Sequence, residues 1–356
     1  MSADEFEIIR TLFAPHAGEG ARGLVDDAAL LEPQGVLVVT TDAIVEGVHF
    51  LASDPIETIA AKALRVNVSD LVGKGAKPVS ALLTLIWPQS RNAADIKPFA
   101  DALGRDLKLF GMSLIGGDTT STPGPLTISM TAFGAPLGAR TPSRADAQVG
   151  DDVWLVGGEI GSAWLGLQLR TGALTLADLK RGREQFVAAA DEEALRYGTP
   201  DYLTLPGEEF DAEAAWLMSA YLAPFVQPAS AAIVARFAHA SMDVSDGLVG
   251  DAAKLAAASG VAIKIEANAI PFSFAAQRWA FNGGDFRKLI TGGDDYVVLF
   301  TAAEADREAI AAVDGDGALR LTRIGRVESG AGVAVLDAAG NAVPIEAASY
   351  SHKLGR

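Results

Sequence analysis

Five short stretches put acids where an apolar core would carry leucine. They are VVTTDA with Asp42, VNVSDL with Asp70, IGGDTT with Asp118, MDVSDGLVGD with Asp243 and Asp246, and ITGGDD with Asp294. Burying a carboxylate costs more than a single apolar contact returns unless the charge is paired. Gathering several is worse, since two unit charges about 4 Å apart repel by about 4 kcal/mol at an effective dielectric of about 20. A few such pairs would rival the whole stability of a domain, roughly 5–15 kcal/mol. The acids must therefore lie apart, carry protons or be neutralised by cations. Taken singly, each is also compatible with an ordinary cap or turn aspartate.

Asp70 is the sharpest case. It falls late in an apolar helical run among Val66, Val68, Leu71 and Val72, where the negative end of the helix dipole disfavours it. Lys74 is the one lysine three or four positions away, so the alternatives are an ion pair with Lys74 or a bound cation. Asp42 is expected to end a strand over 36–41, and Asp118 to end another after MSLIGG. Asp243 and Asp246 are expected to straddle a helix start, with Ser245 or Asp246 as its cap. Strand ends along one sheet edge are where α/β proteins hold ligands. Carboxylates with the hydroxyls of Thr40 and Thr41 form an oxygen-only donor set, which suits Mg²⁺ or Mn²⁺ over zinc. The glycines of GGD let backbone approach a phosphate closely, although a lone pair of glycines is equally a tight turn.

The coarse pattern is mixed α/β in both halves. SADE reads as a capping box opening a helix to about Phe13, and DPIE as an Asp cap followed by proline opening a helix to Gly73 or Gly75. A helix over 95–110 is stopped by Gly111, and PLTISMTAFG is a strand. In the second half a strand at DVWLVGG and helices from Ser162, near 229–239 and near 247–258 alternate with strands near 261–266, 295–300 and 320–327. At 356 residues the chain exceeds one ordinary core. The polar stretch TPSRADAQVGD marks a boundary, giving domains over 1–145 and 146–356, with a charged helical elaboration at about 175–224.

Charge narrows the partners. The net charge is −16 with no basic block, which argues against nucleic acid, and a phosphorylated ligand would need cations to bridge it. Cysteine is absent, which excludes disulfides, thiolate ligands and cysteine nucleophiles. No apolar run is long enough to span a membrane, and the acidic start MSADEFEIIR lacks the features of a signal peptide, so a cytoplasmic protein is expected. GEGARG matches GxGxxG without a preceding strand, and neither a phosphate-binding GxxxxGK[ST] nor HExxH occurs. VSDLVG at Val68 and VSDGLVG at Val244 echo one another, each followed at the same interval by a GGD, but the flanks do not match.

Taken in order, TTDAIVEGVHF, RVNVSDL, LIGGDTT, MDVSDGL and TGGDDY resemble the thiamine-monophosphate kinase family, within the wider group of aminoimidazole ribonucleotide and selenophosphate synthetases. The resemblance runs from VDDAALL at Val25 to Tyr350. It implies a two-domain aminoimidazole ribonucleotide synthetase-like α/β homodimer that transfers the γ-phosphoryl of ATP to thiamine monophosphate, the last step of thiamine diphosphate biosynthesis, with several Mg²⁺ ions. Matched position by position, the implied metal ligands are Asp27, Thr40, Thr41, Asp42, Asp70, Asp118, Asp243 and Asp246. Gly117, Asp118, Arg144 and Ser245 would hold ATP, and His49, Asp294 and Tyr350 the thiamine monophosphate. No catalytic base is implied. Asp294 stands where many relatives carry the longer glutamate, and YLAPFVQPAS lacks the arginine-rich, double-proline segment of many relatives. Selenophosphate synthesis is disfavoured because its usual cysteine or selenocysteine has no counterpart. An aminoimidazole ribonucleotide synthetase-like enzyme and a non-catalytic nucleotide or Mg²⁺ sensor are the competing expectations.

Overall fold

The computed structural model describes residues 5–26, 28–33, 35–180, 212–313 and 318–346. The chain divides into two units, Met1–Thr141 and Pro142–Arg356. Both are mixed α/β, and no described helix is long and apolar enough to cross a membrane.

In the first unit, α1 (Glu5–Ile8) widens into a π turn over Ile9–Phe13 instead of continuing as one α-helix, and the start of the SADE box lies outside the described residues. Strands β1 (Val38–Val45), β2 (Ala76–Pro88), β3 (Ser113–Thr122) and β4 (Thr127–Pro136) form one sheet in the order β1-β4-β2-β3. Only β2 and β3 run parallel. Helices α2 (Ile56–Gly73) and α3 (Ile96–Leu109) complete the unit. On α3, Ile96, Phe99, Ala100, Leu103 and Leu107 are buried at helical spacing, which turns its polar residues other than Asp106 outward. Arg65 of α2 donates to both oxygens of Asp106 on α3 at 2.6 and 3.1 Å, both side chains being buried.

Three sequence expectations need correction here. Asp42 and Asp118 do not end their strands, since β1 runs on to Val45 and β3 to Thr122. β1 is an edge strand, and Asn67 of α2 accepts the Asp42 N–H at 3.0 Å, so the edge is satisfied without a turn. β3 continues because β2 pairs with it as far as Pro88↔Thr122. Asp54 does not cap α2; its carboxylate accepts from Leu51 N–H at 2.8 Å and Pro55 opens the helix. The long central strand β2 carries Pro78, a residue that argues against central strands, and the register shifts between Pro78 and Ser80 to accommodate it.

In the second unit, β5 (Asp152–Val156), β6 (Ala240–Asp243), β7 (Ala262–Glu266), β8 (Val298–Ala302), β9 (Thr322–Glu328) and β10 (Gly332–Leu336) form a sheet in the order β10-β7-β9-β5-β8-β6. Its helices are α4 (Ser162–Thr171), α5 (Leu176–Lys180), α6 (Ala212–Leu222), α7 (Ser230–Phe237), α8 (Leu248–Ser259), α9 (Phe274–Phe281), α10 (Phe286–Thr291) and α11 (Arg307–Val313). One core gathers Val153, Leu155, Met242, Leu248, Ile263 and Leu299 between sheet and helices. The buried Asp152 carboxylate receives Arg307 at 2.7 and 2.8 Å and Arg323 at 2.8 Å. Of the expected elaboration, 181–211 lie outside the described residues. Its two flanks meet at Arg278 of α9, a fully buried guanidinium that donates to Leu179 O at 2.6 Å and pairs with Glu213 of α6.

Candidate functional site

In the first unit, β3 forms one wall of a groove of about 1100 Å³. Gly116, Gly117 and Asp118 line that wall, while Phe6, Arg10 and Phe13 line it from the N-terminal turns. The backbone is held close by Ala17, which bridges to Leu114, and by Gly18 N–H, which donates to Leu114 O at 2.8 Å. Gly117 is sterically required: a Cβ built there would lie 1.8 Å from Leu83 O. Apolar walls with a few aligned polar groups are the usual make-up of a small-molecule site, and this volume is at the upper end of that class.

A second cluster sits where α2 covers the other edge of the sheet. The Thr40 hydroxyl donates to Asp70 of α2, and Asp42 lies two residues along β1 on the same face. This pairing brings together three residues singled out in the sequence. Thr40 belongs to the oxygen donor set expected from the sequence, and its hydroxyl is the group that meets Asp70. Thr41 points to the opposite face, where its hydroxyl donates to Met130 O at 3.0 Å and accepts from Thr131 at 3.2 Å. The hydroxyls of Thr40 and Thr41 therefore cannot flank one ion together within this strand. His49 lies in the turn after β1 and accepts the Val45 N–H on Nδ1 at 3.0 Å, which places its ring proton on Nε2.

Register separates the two acid sites of this unit. Asp42 aligns with Met130, Leu83 and Gly117 across the four strands, and the next row carries Ala43, Ser129, Thr84 and Asp118. Asp42 and Asp118 thus occupy opposite edges, about three strand spacings or roughly 14 Å apart. Carboxylates at that separation cannot bind one small cation, whose ligands lie only about 2.1 Å from it.

In the second unit, two loops are built as one piece. Asp294 N–H donates to Ser245 O at 2.8 Å, and Tyr296 N–H to Val244 O at 2.7 Å. The close approach needs glycine: a Cβ on Gly293 would meet Ser245 O at 2.5 Å. These contacts bring the loops carrying Asp243, Ser245, Asp246 and Asp294 side by side. Neither Ser245 nor Asp246 caps α8, contrary to expectation; Gly247 occupies the cap with a φ of 107°. The capping is reversed, with Asp251 of the first helical turn accepting from Ser245 N–H and Asp246 N–H at 2.9 Å each. Burial raises the Asp251 carboxyl above its ordinary range, against the pull of Lys254. Lys254 donates to both Asp246 and Asp251, and although burial lowers its pKa, those two bonds outweigh it and leave it raised. Sequence reading overlooked Asp251 and Lys254. Their signal was their spacing of three residues on a helix, one turn from the acids under scrutiny. Arg144 is exposed beside β6, its carbonyl accepting from Ser259 Oγ at 2.7 Å. Asp27 and Tyr350 lie outside the described residues.

Among the described residues, no three His, Cys, Asp or Glu side chains group closely enough to hold a metal ion unaided. The donors that do occur are carboxylate and hydroxyl oxygens in ones and twos, such as the Thr40–Asp70 pair. That fits Mg²⁺, which takes one or two carboxylates and fills its shell with phosphate oxygens and water.

Comparison with known proteins follows the same lines. Residues 25–135 match the AIR synthase related protein, N-terminal domain, and residues 208–337 match the corresponding C-terminal domain. The chain is 33% identical over 341 residues to a thiamine-monophosphate kinase of Caulobacter vibrioides, covering 92% of this chain and 85% of that protein. A crystal structure of thiamine-monophosphate kinase from Stenotrophomonas maltophilia aligns with TM-score 0.74 at 35% identity, over 96% of this chain and 99% of that one. A structure of AaThiL complexed with AMPPCP and TMP aligns with TM-score 0.71 at 29% identity, over 92% and 91% of the two chains.

Proposed function

Starting from the thiamine-monophosphate kinase family, to which this chain belongs, we propose that it transfers the γ-phosphoryl group of ATP to thiamine monophosphate. The observation that carries this reading is the Gly116–Gly117–Asp118 run on the wall of a nucleotide-sized groove. Gly117 offers backbone without a side chain to the phosphates, and Asp118 presents a carboxylate beside them. In the same reading Asp27, Thr40, Thr41, Asp42, Asp70, Asp243 and Asp246 hold Mg²⁺, which when bound screens the phosphate charge. Arg144 and Ser245 complete the ATP contacts, and His49, Asp294 and Tyr350 orient the acceptor.

The acceptor is a phosphate monoester, already anionic near neutral pH, so direct in-line attack needs no strong general base. Alignment and charge screening are then the protein's main contributions. Lys254 keeps Asp246 neutralised between ligands, which removes the cost of a bare acid in that loop. The reading includes a homodimer. Its support is the separation of Asp42 and Asp118 on opposite sheet edges, which a second copy can overcome by bringing its own edge alongside.

Incubation with ATP, Mg²⁺ and thiamine monophosphate should yield thiamine diphosphate, with no labelled phosphate trapped on the protein. Asp118→Asn is expected to lower turnover by about a hundredfold or more while the fold survives, as for loss of a group that stabilises transferring phosphate. An aminoimidazole ribonucleotide synthetase-like enzyme or a non-catalytic sensor would form no thiamine diphosphate, and that result would reject the assignment.

A further inference from the structure

Asp295 is a buried acid of the second unit's loop cluster. Its side chain is turned inward and the residue is 9% exposed. Oδ1 accepts the Gly161 N–H, at the start of α4, at 2.7 Å. Oδ2 is buried without a hydrogen-bond partner among the described residues. Asp295 lines a cavity of about 30 Å³ together with Glu159, Ser162, Trp216 and Asp294. That volume accommodates a water molecule.

The backbone around Asp295 is unusual. Asp294 and Tyr296, on either side, have φ values of +65° and +51°, a conformation that side-chain-bearing residues adopt only when their surroundings impose it. Part of the constraint is visible in the bonds to Val244 and Ser245, and the Tyr296 hydroxyl donates to Asp294 Oδ1 at 3.2 Å. Asp295 supplies a side-chain anchor on the other side, toward α4. The alternation of left-handed residues sends Asp295 inward and leaves Asp294 half-exposed.

The groups facing Asp295 are acids. Burial holds its carboxyl well above the ordinary carboxylate range, and Asp294, Asp251 and Glu159 push it the same way against the Gly161 N–H. Glu159 is neutralised by Arg320 and receives the Ser162 hydroxyl at 3.1 Å.

We infer that Asp295 is a positioning residue of the acceptor site: its side chain ties the 292–296 loop to the first turn of α4 and so holds Asp294 in the orientation that meets the phosphate acceptor. This rests on the proposed kinase function. Asparagine keeps the shape and keeps an acceptor for the Gly161 N–H, so Asp295→Asn should preserve the tie. Alanine removes it.

The test is a double-mutant cycle with steady-state kinetics on the full chain. Asp295→Ala should raise KM for thiamine monophosphate about tenfold while KM for ATP changes by less than about twofold. Asp295→Asn should stay within about threefold of wild type in both. The double variant Asp294→Ala/Asp295→Ala should be no worse than Asp294→Ala alone, since the second change acts only through the first. Unchanged acceptor KM in Asp295→Ala, damage in Asp295→Asn equal to that in alanine, or additive effects would each overturn the inference. Hydrogen exchange at the Gly161 amide scores the tie without any turnover. It should be slow in wild type and Asp295→Asn, and about tenfold faster in Asp295→Ala. Equal exchange in all three sinks the tie even if the kinase reading holds. A wild-type protein that makes no thiamine diphosphate sinks the kinase reading and leaves the exchange result standing on its own. If Asp295→Ala does not fold, Asp295→Asn still decides, because a fast-exchanging Gly161 amide there contradicts the tie.

Discussion

At the scale of single residues, the two glycines before Asp118 are not equivalent. A Cβ on Gly116 would touch only Leu82 Cδ2 at 3.1 Å, a flexible side-chain end that can move. On Gly117 it would meet the Leu83 carbonyl at 1.8 Å, and that backbone is fixed in the sheet. Gly117→Ala should therefore destabilise by about 1–3 kcal/mol and weaken nucleotide binding, with Gly116→Ala closer to neutral. Chemical denaturation and nucleotide titration of the pair check this. The sequence motif announced that glycines mattered here, but not which one, because that depends on the neighbouring strand. The same limit hid Asp251 and Asp295. Each reads as an unremarkable acid until the backbone N–H groups of Ser245, Asp246 and Gly161 turn toward it.

Between elements, paired charges fasten helices and strands. Arg65 and Asp106 join α2 to α3 with both groups buried, so Asp106→Ala leaves a guanidinium uncompensated. The expected loss is about 3–5 kcal/mol, read by urea denaturation. Asp152 of β5 is held by Arg307 and Arg323; burial raises its pKa, but those hydrogen bonds outweigh it and leave it below the ordinary aspartate range. A carboxyl lowered on folding adds stability above its unfolded pKa and loses it as pH falls through the folded value. Wild type should therefore weaken on acidification below about pH 4, and Asp152→Asn should show a shallower acid limb. At pH 7 that variant should be less stable by roughly 2–4 kcal/mol, less than a wholly buried pair because both arginines reach solvent. Most helices were legible from apolar spacing and stop signals, such as Gly111 after α3. The strands were harder. β1 and β3 were cut short because an aspartate inside a strand looks like its end. In the structure Asn67 supplies the partner that lets β1 continue.

At the scale of the whole molecule, the five acid motifs carry the family resemblance but not the spatial arrangement. Spacing along the chain does not reveal that β1 and β3 are opposite edges of one sheet. If a second copy joins these edges, Asp42 of one chain serves with Asp118 of the other. Mixing the inactive variants Asp42→Asn and Asp118→Asn should then restore about a quarter of wild-type activity, since about half the dimers are mixed and each mixed dimer has one intact site. A mixture as inactive as its components would place both acids of each site within one chain. Arg278 has a different consequence. Leu179 and Glu213 are clasped by the same guanidinium, so these two points of the chain are pinned side by side. Lengthening a flexible chain between two pinned points costs only about 0.6 kcal/mol per doubling. A fluorescent reporter spliced between residues 181 and 211 should accordingly ride on the folded enzyme, a ready-made socket for engineering.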